Sequence, residues 1–191
     1  MQILIVGLVV FFAAHAVQIL SLKEGLVRRF GENGYKGLHS LVSIVGLVLV
    51  VWGYGEARAA GPDILYEAPV WMRHVTVFLM MIAMVLLVAS QMPCRIKAIT
   101  KHPMLASVKI WAFSHLLANG DLASVLLFGS FLAWAVIARI SAKRRPLDVI
   151  AMEKARGAPP ANDVIVVVLG ATLYVAFAFW LHPWLIGVPV M

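Results

Sequence analysis

The sequence has a single cysteine, Cys94. One thiol cannot form an intrachain disulfide, so a fold held together by disulfides is excluded. The chain also lacks the C-x-x-C spacing of cysteine zinc sites and the C-x-x-C-H motif that attaches c-type haem covalently. Both classes of cysteine-based site are therefore excluded.

Charge is also scarce. Charged residues make up 13% of the chain, hydrophobic residues make up 62%, and the mean hydropathy is +0.93. A soluble domain carries roughly twice that charged fraction. The net charge of +7 does not indicate a nucleic-acid partner, because the basic residues cluster in short loops beside apolar runs, where anionic lipid headgroups attract them. The composition indicates a polytopic membrane protein whose partner is the lipid bilayer.

Several catalytic and transport signatures are missing. The sequence contains no G-x-x-x-x-G-K-[ST], no G-x-S-x-G and no H-E-x-x-H. Every acidic residue falls in a loop or at the end of an apolar run. This pattern argues against a proton-driven transporter built on carboxylates inside the membrane.

Apolar runs separated by polar loops predict a single all-α membrane domain over residues 1–191, a helical bundle of about six transmembrane helices. The loops after the first, third and fifth spans are basic, which places them in the cytoplasm and both termini in the periplasm of a bacterial inner membrane. Asn162 or Asp163 is expected to cap the last span. The predicted spans are about 1–22, 37–57, 72–92, 101–121, 122–140 and 163–184.

Six histidines are the main chemical signal. In the predicted topology three of them lie in the cytoplasmic half, two nearer the outer half and one at the outer boundary: His15, His39 and His102; His74 and His115; and His182. A neutral imidazole can ligate a metal or haem without burying a net charge. For His74 and His182, at span ends, an interfacial role is preferred. For His15 and His115, ligation and a hydrogen-bonded core role both stay open.

The fourth span carries two polar faces. His115 and Asn119 follow Trp111 at intervals of four residues and therefore share one face. On this face Trp111 would wall a cofactor pocket, and Asn119 would fix the imidazole tautomer. His102 and Lys109 share another face; Lys109 would either extend to the headgroups or balance an anionic group such as a haem propionate.

The same span carries a family resemblance. K-H-P, W-A-x-x-H-L-L-A-N-G-D and S-V-L-L-F-G within residues 101–129 resemble the NnrU family of small bacterial membrane proteins. That family is similar to the membrane domain of 15-cis-zeta-carotene isomerase, which uses haem b. The resemblance implies His15 and His115 as haem ligands, and a further histidine of that enzyme matches His39. Ala112 stands where the enzyme has a cysteine.

The expected function is therefore that of a haem b-binding membrane protein. The resemblance links the NnrU family to nitrite and nitric oxide respiration, so respiratory or denitrification proteins are the implied partners. Redox sensing, nitric-oxide-linked chemistry and an isomerase-type reaction on an apolar or small-molecule substrate stay open. In the predicted topology His15 and His115 lie at different depths in the membrane. His39 or His102, which lie in the same half as His15, are therefore alternative partners of His15. Two other functions are also open: an S-adenosylmethionine-dependent methyltransferase with its site near His102, and a non-catalytic accessory subunit.

Overall fold

The computed structural model describes residues 1–146, 148–188 and 190. These residues are helical throughout, apart from loops and one isolated antiparallel bridge between Ile64 and Asp121. The helices are α1 (Gln2–Ile19), α2 (Lys23–Ala59), α3 (Trp71–Ala89), α4 (Arg95–Thr100), α5 (Pro103–Ala118), α6 (Leu122–Lys143), α7 (Val149–Arg156) and α8 (Pro160–Ala176), followed by a π-helical turn (Phe177–Leu181) and α9 (His182–Ile186). The all-α prediction is confirmed.

Among the described residues, five stretches are long and apolar enough to cross a membrane: α1, α2, α3, α6 and the continuous helix Pro160–Ile186. The predicted fourth span forms α5, which has 16 residues. At ~1.5 Å rise per residue α5 is about 24 Å long, somewhat shorter than a hydrocarbon core of about 30 Å. Large apolar side chains such as Val9 and Phe179 are more than half exposed, which is compatible with contact to lipid. The orientation in the membrane stays a prediction.

The predicted first loop is wrong in one respect. Most of the segment at 21–36 is helical, and α2 begins at Lys23 and runs on into the predicted second span. Its glutamates, lysines and arginines favour helix, and Lys36 forms an ion pair with Glu32 at 2.7 Å. The helical dihedrals break at Gly31, where φ is 71°, a value that glycine adopts without steric cost.

The chain divides into two compact units. Unit 1 consists of Met1–Tyr66 and Gly120–Ser130, and unit 2 of Glu67–Asn119 and Phe131–Met191. In unit 1, α1 and α2 pack together as an antiparallel pair. A small-residue strip of α2, formed by Gly46, Val50 and Gly53, is buried in this pair. A Cβ added at Gly46 would lie 2.7 Å from the Phe11 backbone nitrogen, so glycine is what lets the two backbones approach.

In unit 2, α3 packs against α5 and α8. Two buried or half-buried hydroxyls join α3 and α5: Thr76 donates to the Ser114 carbonyl at 2.8 Å, and Ser107 donates to the Ala83 carbonyl at 2.7 Å. Such bonds satisfy polar groups that apolar surroundings would otherwise penalise. They fix the register of α5, the helix that carries most of the string that resembles the NnrU family.

The N-cap of the last span is neither of the two residues that the sequence predicted. Pro159 occupies the N-cap of α8, and the two residues expected there bind the start of α4 instead. The Asn162 amide donates to the Pro93 carbonyl at 2.8 Å, and the Asp163 carboxylate accepts the Ile96 N–H at 3.2 Å. The first turn of α4 has unsatisfied N–H groups that an approaching side chain can bind, so the tertiary contact redirects both side chains.

Candidate functional site

Two of the predicted site histidines come together in unit 1. The rings of His15 on α1 and His39 on α2 have centroids 5.2 Å apart and planes inclined by 58°. The antiparallel packing of the two helices causes this, because it brings the last turns of α1 beside the residues that follow Gly31. The sequence left His39 as an alternative partner of His15. The structure places the two rings next to each other.

The orientation of His15 is set by the residue one turn earlier. Its Nδ1 donates to the Phe11 carbonyl at 2.8 Å, and the Phe11 ring stacks on the imidazole with centroids 4.2 Å apart. A neutral imidazole that carries its proton on Nδ1 has its lone pair on Nε2. Nε2 is therefore the nitrogen with which His15 can ligate.

His39 lies in a polar spot inside an apolar helix pair. Its Nδ1 and the Ser43 hydroxyl one turn later are both buried without a hydrogen-bond partner, which is uncommon for buried polar atoms. The Tyr35 ring lies 5.8 Å from the His39 ring. The rings of His15 and His39 lie 5.2 Å apart, and their pairing on one iron stays a prediction.

His115 repeats the arrangement of His15 in unit 2. Its Nδ1 donates to the Trp111 carbonyl, four residues earlier, at 2.8 Å, and the two rings lie 5.5 Å apart. Phe131 packs edge-on against Trp111 at 5.3 Å, an arrangement that aromatic pairs favour. His115 is thus oriented with its lone pair on Nε2, beside the Trp111 indole; that Trp111 walls a cofactor pocket stays a prediction.

Asn119 binds the backbone of His115, and its expected effect on the imidazole tautomer stays a prediction. Its side-chain amide donates to the His115 backbone carbonyl at 3.0 Å, and its own N–H bonds the same carbonyl at 2.9 Å. Asn119 therefore closes the end of α5, and the Trp111 carbonyl binds the His115 Nδ1 proton that defines the tautomer. The intrahelical reach of a side chain to the carbonyl four residues back was the signal that sequence reasoning missed.

His182 is a neighbour that the sequence did not assign to this site. It is the first residue of α9, close enough to His115 to interact electrostatically. Its Nδ1 donates to the Val188 carbonyl at 2.8 Å. His74, at the start of α3, is exposed.

His102 and Lys109 lie apart from the face of α5 that carries His115. His102 occupies the N-cap of α5, and Arg139, Arg145 and Lys101 lie close enough to interact electrostatically with its ring. Lys109 lines an open groove between α5 and α6. His15 and His115 belong to different units, and their pairing on one iron stays a prediction.

A comparison with models of protein families identifies the family of this chain. A family model described as NnrU protein matches residues 3–190. The chain belongs to the NnrU family. Comparison with curated proteins and with solved structures gives no match.

In this NnrU protein the N-G-D sequence that follows α5, at residues 119–121, has a structural role. A Cβ at Gly120 would collide with the Tyr66 carbonyl, so only glycine lets the 60–66 segment pass. The Gly120 carbonyl accepts the Leu65 N–H at 2.8 Å, and the Leu122 N–H donates to the Asp63 carbonyl at 2.9 Å. Burial, and secondly the charge of Asp121, raises the pKa of Tyr66.

Asp121 caps α6 through a buried network that the sequence analysis did not single out. Its carboxylate accepts the Ser124 N–H at 2.9 Å and the Ser124 hydroxyl at 2.6 Å. The Ser124 hydroxyl also bonds the Tyr54 hydroxyl at 2.9 Å. The available signal was an aspartate immediately ahead of an apolar run, which is typical of a helix N-cap.

Replacing Asp121 with alanine should destabilise the protein by about 1–3 kcal/mol, because it leaves the buried Ser124 N–H without its acceptor. Thermal unfolding in detergent measures the effect. The control is Asp148→Ala, which removes an exposed cap that accepts the Ala151 N–H at 3.0 Å and should cost less than about 1 kcal/mol. Equal losses in the two variants would contradict the assignment.

Proposed function

We propose that this membrane protein of the NnrU family binds haem b through His115, with His15 as the second ligand that the family resemblance implies. One observation carries the proposal. His15 and His115 each donate Nδ1–H to the carbonyl of an aromatic residue one turn earlier, so each keeps a lone pair on Nε2.

That hydrogen bond is the usual companion of a ligating histidine. Metal-bound imidazoles nearly always donate their other N–H to a carbonyl or carboxylate, which fixes the tautomer and raises the basicity of the ligating nitrogen. The adjoining Phe11 and Trp111 rings offer flat apolar surfaces of the kind that a porphyrin packs against. Both features exist before any cofactor binds, so the imidazoles lose little freedom on ligation.

The side chains that are available as metal ligands favour haem over a metal ion held by the protein alone. Within residues 1–146, 148–188 and 190, no three His, Cys, Asp or Glu side chains are grouped to hold a metal ion. Haem iron receives four nitrogens from the porphyrin and needs only one or two from the protein. A single well-oriented imidazole therefore suffices as a starting ligand.

The roles of the individual residues follow. His115 would hold the iron, Trp111 would wall the pocket, and Phe131 would keep the indole in place through its edge-on contact. Bound haem would supply one-electron redox chemistry and would bind small ligands such as nitric oxide. Ala112 offers no thiolate in place of the cysteine of the isomerase, so redox or nitric-oxide-linked chemistry in the bacterial inner membrane is the preferred form of the proposal.

An absorption spectrum tests the proposal directly. The full chain, purified in detergent from haem-sufficient cells, should show a Soret band that shifts on reduction with dithionite. Added carbon monoxide should shift the reduced band further if one axial position is open. A colourless protein that also takes up no haem on titration would exclude the proposed function.

The second ligand can be identified on the same preparation. If His15 is the second ligand, His15→Ala should convert a low-spin spectrum to a high-spin one, whereas His182→Ala should leave the spectrum unchanged. The opposite result would replace His15 by His182, which interacts electrostatically with His115.

The methyltransferase alternative has less support from the site. S-adenosylmethionine carries a positive sulfonium, and the residues that interact electrostatically with His102 are cations. Calorimetric titration with that cofactor distinguishes the methyltransferase from the haem-binding protein. A protein that binds neither haem nor S-adenosylmethionine would favour the accessory-subunit alternative.

A further inference from the structure

A cluster of cations surrounds the start of α5 in unit 2. Arg139, Arg145 and Lys101 all lie close enough to interact electrostatically with the His102 ring. Arg139 and His102 are half-buried, whereas Lys101 and Arg145 are exposed. Like charges gathered in this way repel one another, and the repulsion is stronger where burial lowers the local dielectric constant.

In the part of the chain that the structure describes, no ion pair joins an acidic side chain to this cluster. There, the Lys36–Glu32 pair of α2 is the ion pair found, and it lies in unit 1. An anion placed among Lys101, His102, Arg139 and Arg145 would relieve the repulsion. Arginine is well suited to a phosphate group, because its guanidinium donates two parallel hydrogen bonds to phosphate oxygens.

An apolar groove begins one turn from the cluster. It has a volume of about 410 Å³ and is lined by Ala106, Lys109, Ile110 and Phe113 of α5 and by Leu132 of α6. These α5 residues lie between one and three turns past His102, and Leu132 lies about two turns before Arg139 on α6. The groove therefore runs along the two helices away from their basic ends. The groove is open along its length, and its apolar lining suits an acyl chain.

We propose that the α5–α6 groove binds one anionic phospholipid, with its phosphate among Arg139, Arg145, His102 and Lys101 and an acyl chain along the groove. Charge complementarity selects the headgroup, since basic pockets between membrane helices bind anionic lipids. The apolar lining selects a lipid over a free anion. Lys109 lines the groove and would extend its ammonium toward the headgroup, as lysines inside a membrane edge commonly do.

Native mass spectrometry of the detergent-purified full chain tests the headgroup contact, with phosphatidylglycerol and phosphatidylcholine as the titrated lipids. The wild type should prefer phosphatidylglycerol. The double variant Arg139→Gln/Arg145→Gln should bind it about 10- to 30-fold more weakly, because each arginine near an anionic lipid surface contributes a several-fold factor. Binding of phosphatidylcholine should not change.

The matched control is Arg28→Gln/Arg29→Gln, which removes two exposed arginines of α2. It should keep the preference for phosphatidylglycerol. Equal losses in the two double variants would overturn the proposal, because they would indicate attraction to net charge alone. A wild type that binds both lipids equally would overturn it too.

The groove has its own test. Ala106→Trp should fill it and weaken phosphatidylglycerol binding at least tenfold, whereas Ala13→Trp on the exposed side of α1 should have no effect. Full affinity in Ala106→Trp would overturn the groove as the acyl site. Displacement of the lipid by millimolar inorganic phosphate would overturn the lipid as the occupant. The haem spectrum of each variant is recorded in parallel, so that loss of lipid binding and loss of haem are read separately.

Discussion

His115→Ala is expected to remove the haem from the purified protein, or to weaken its binding at least about 100-fold. Losing even a group that supports a ligand costs 10- to 100-fold in metal affinity, and here the ligand itself is lost. Haem content per protein and the Soret band measure the result. The variant should still fold, because α5 is held to α3 by the bonds of Thr76 and Ser107, which do not involve the imidazole.

The matched control is His74→Ala. His74 is an exposed histidine in the first turn of α3, so its replacement removes an imidazole without touching the Trp111 wall. Haem content should stay at the wild-type level. If His115→Ala also retains full haem with an unchanged spectrum, the assignment of His115 as ligand is wrong, whatever the origin of the colour.

Gly53→Ala is expected to lower the stability of the protein by about 2–3 kcal/mol, which corresponds to roughly 5–10 °C in melting temperature. The added Cβ would lie 2.7 Å from the Leu4 Cα, a backbone atom that cannot turn aside as a side chain can. The two helices must therefore separate. Thermal unfolding in detergent, followed by fluorescence or by size-exclusion chromatography, measures the loss.

Gly55→Ala serves as the control on the same helix. A Cβ at Gly55 meets nothing within 4 Å, and alanine is a better helix former than glycine by about 0.5–1 kcal/mol. This variant should be as stable as the wild type or slightly more stable. If both substitutions destabilise equally, the close approach of α1 and α2 is not the reason that glycine occupies position 53.

The same packing connects stability to the proposed haem site. Gly46 faces the Phe11 backbone, and the Phe11 carbonyl accepts the His15 Nδ1 proton. A larger residue at position 46 would push on the segment that orients His15. The small-residue strip of α2 therefore does more than allow packing, since it also holds a candidate ligand in place.

The sequence by itself determined the class of the protein and most of its helices. Low charge and long apolar runs are local properties, so they predicted an all-helical membrane protein and most of the span positions. The Gly46 and Gly53 strip was also readable, because residues at helical spacing share a face whatever packs against it. The K-H-P to N-G-D string identified the family for a similar reason, since its spacing is contained in one helix and one turn.

Only the tertiary structure decided which polar groups meet. His39 lies beside His15, Asp163 binds the start of α4, and Arg139 approaches His102, each through contacts between segments distant in the chain. Periodicity within one helix cannot give the register between two helices, and that register decides each of these encounters. The sequence therefore supplied the candidate imidazoles and cations, whereas packing decided which of them are neighbours.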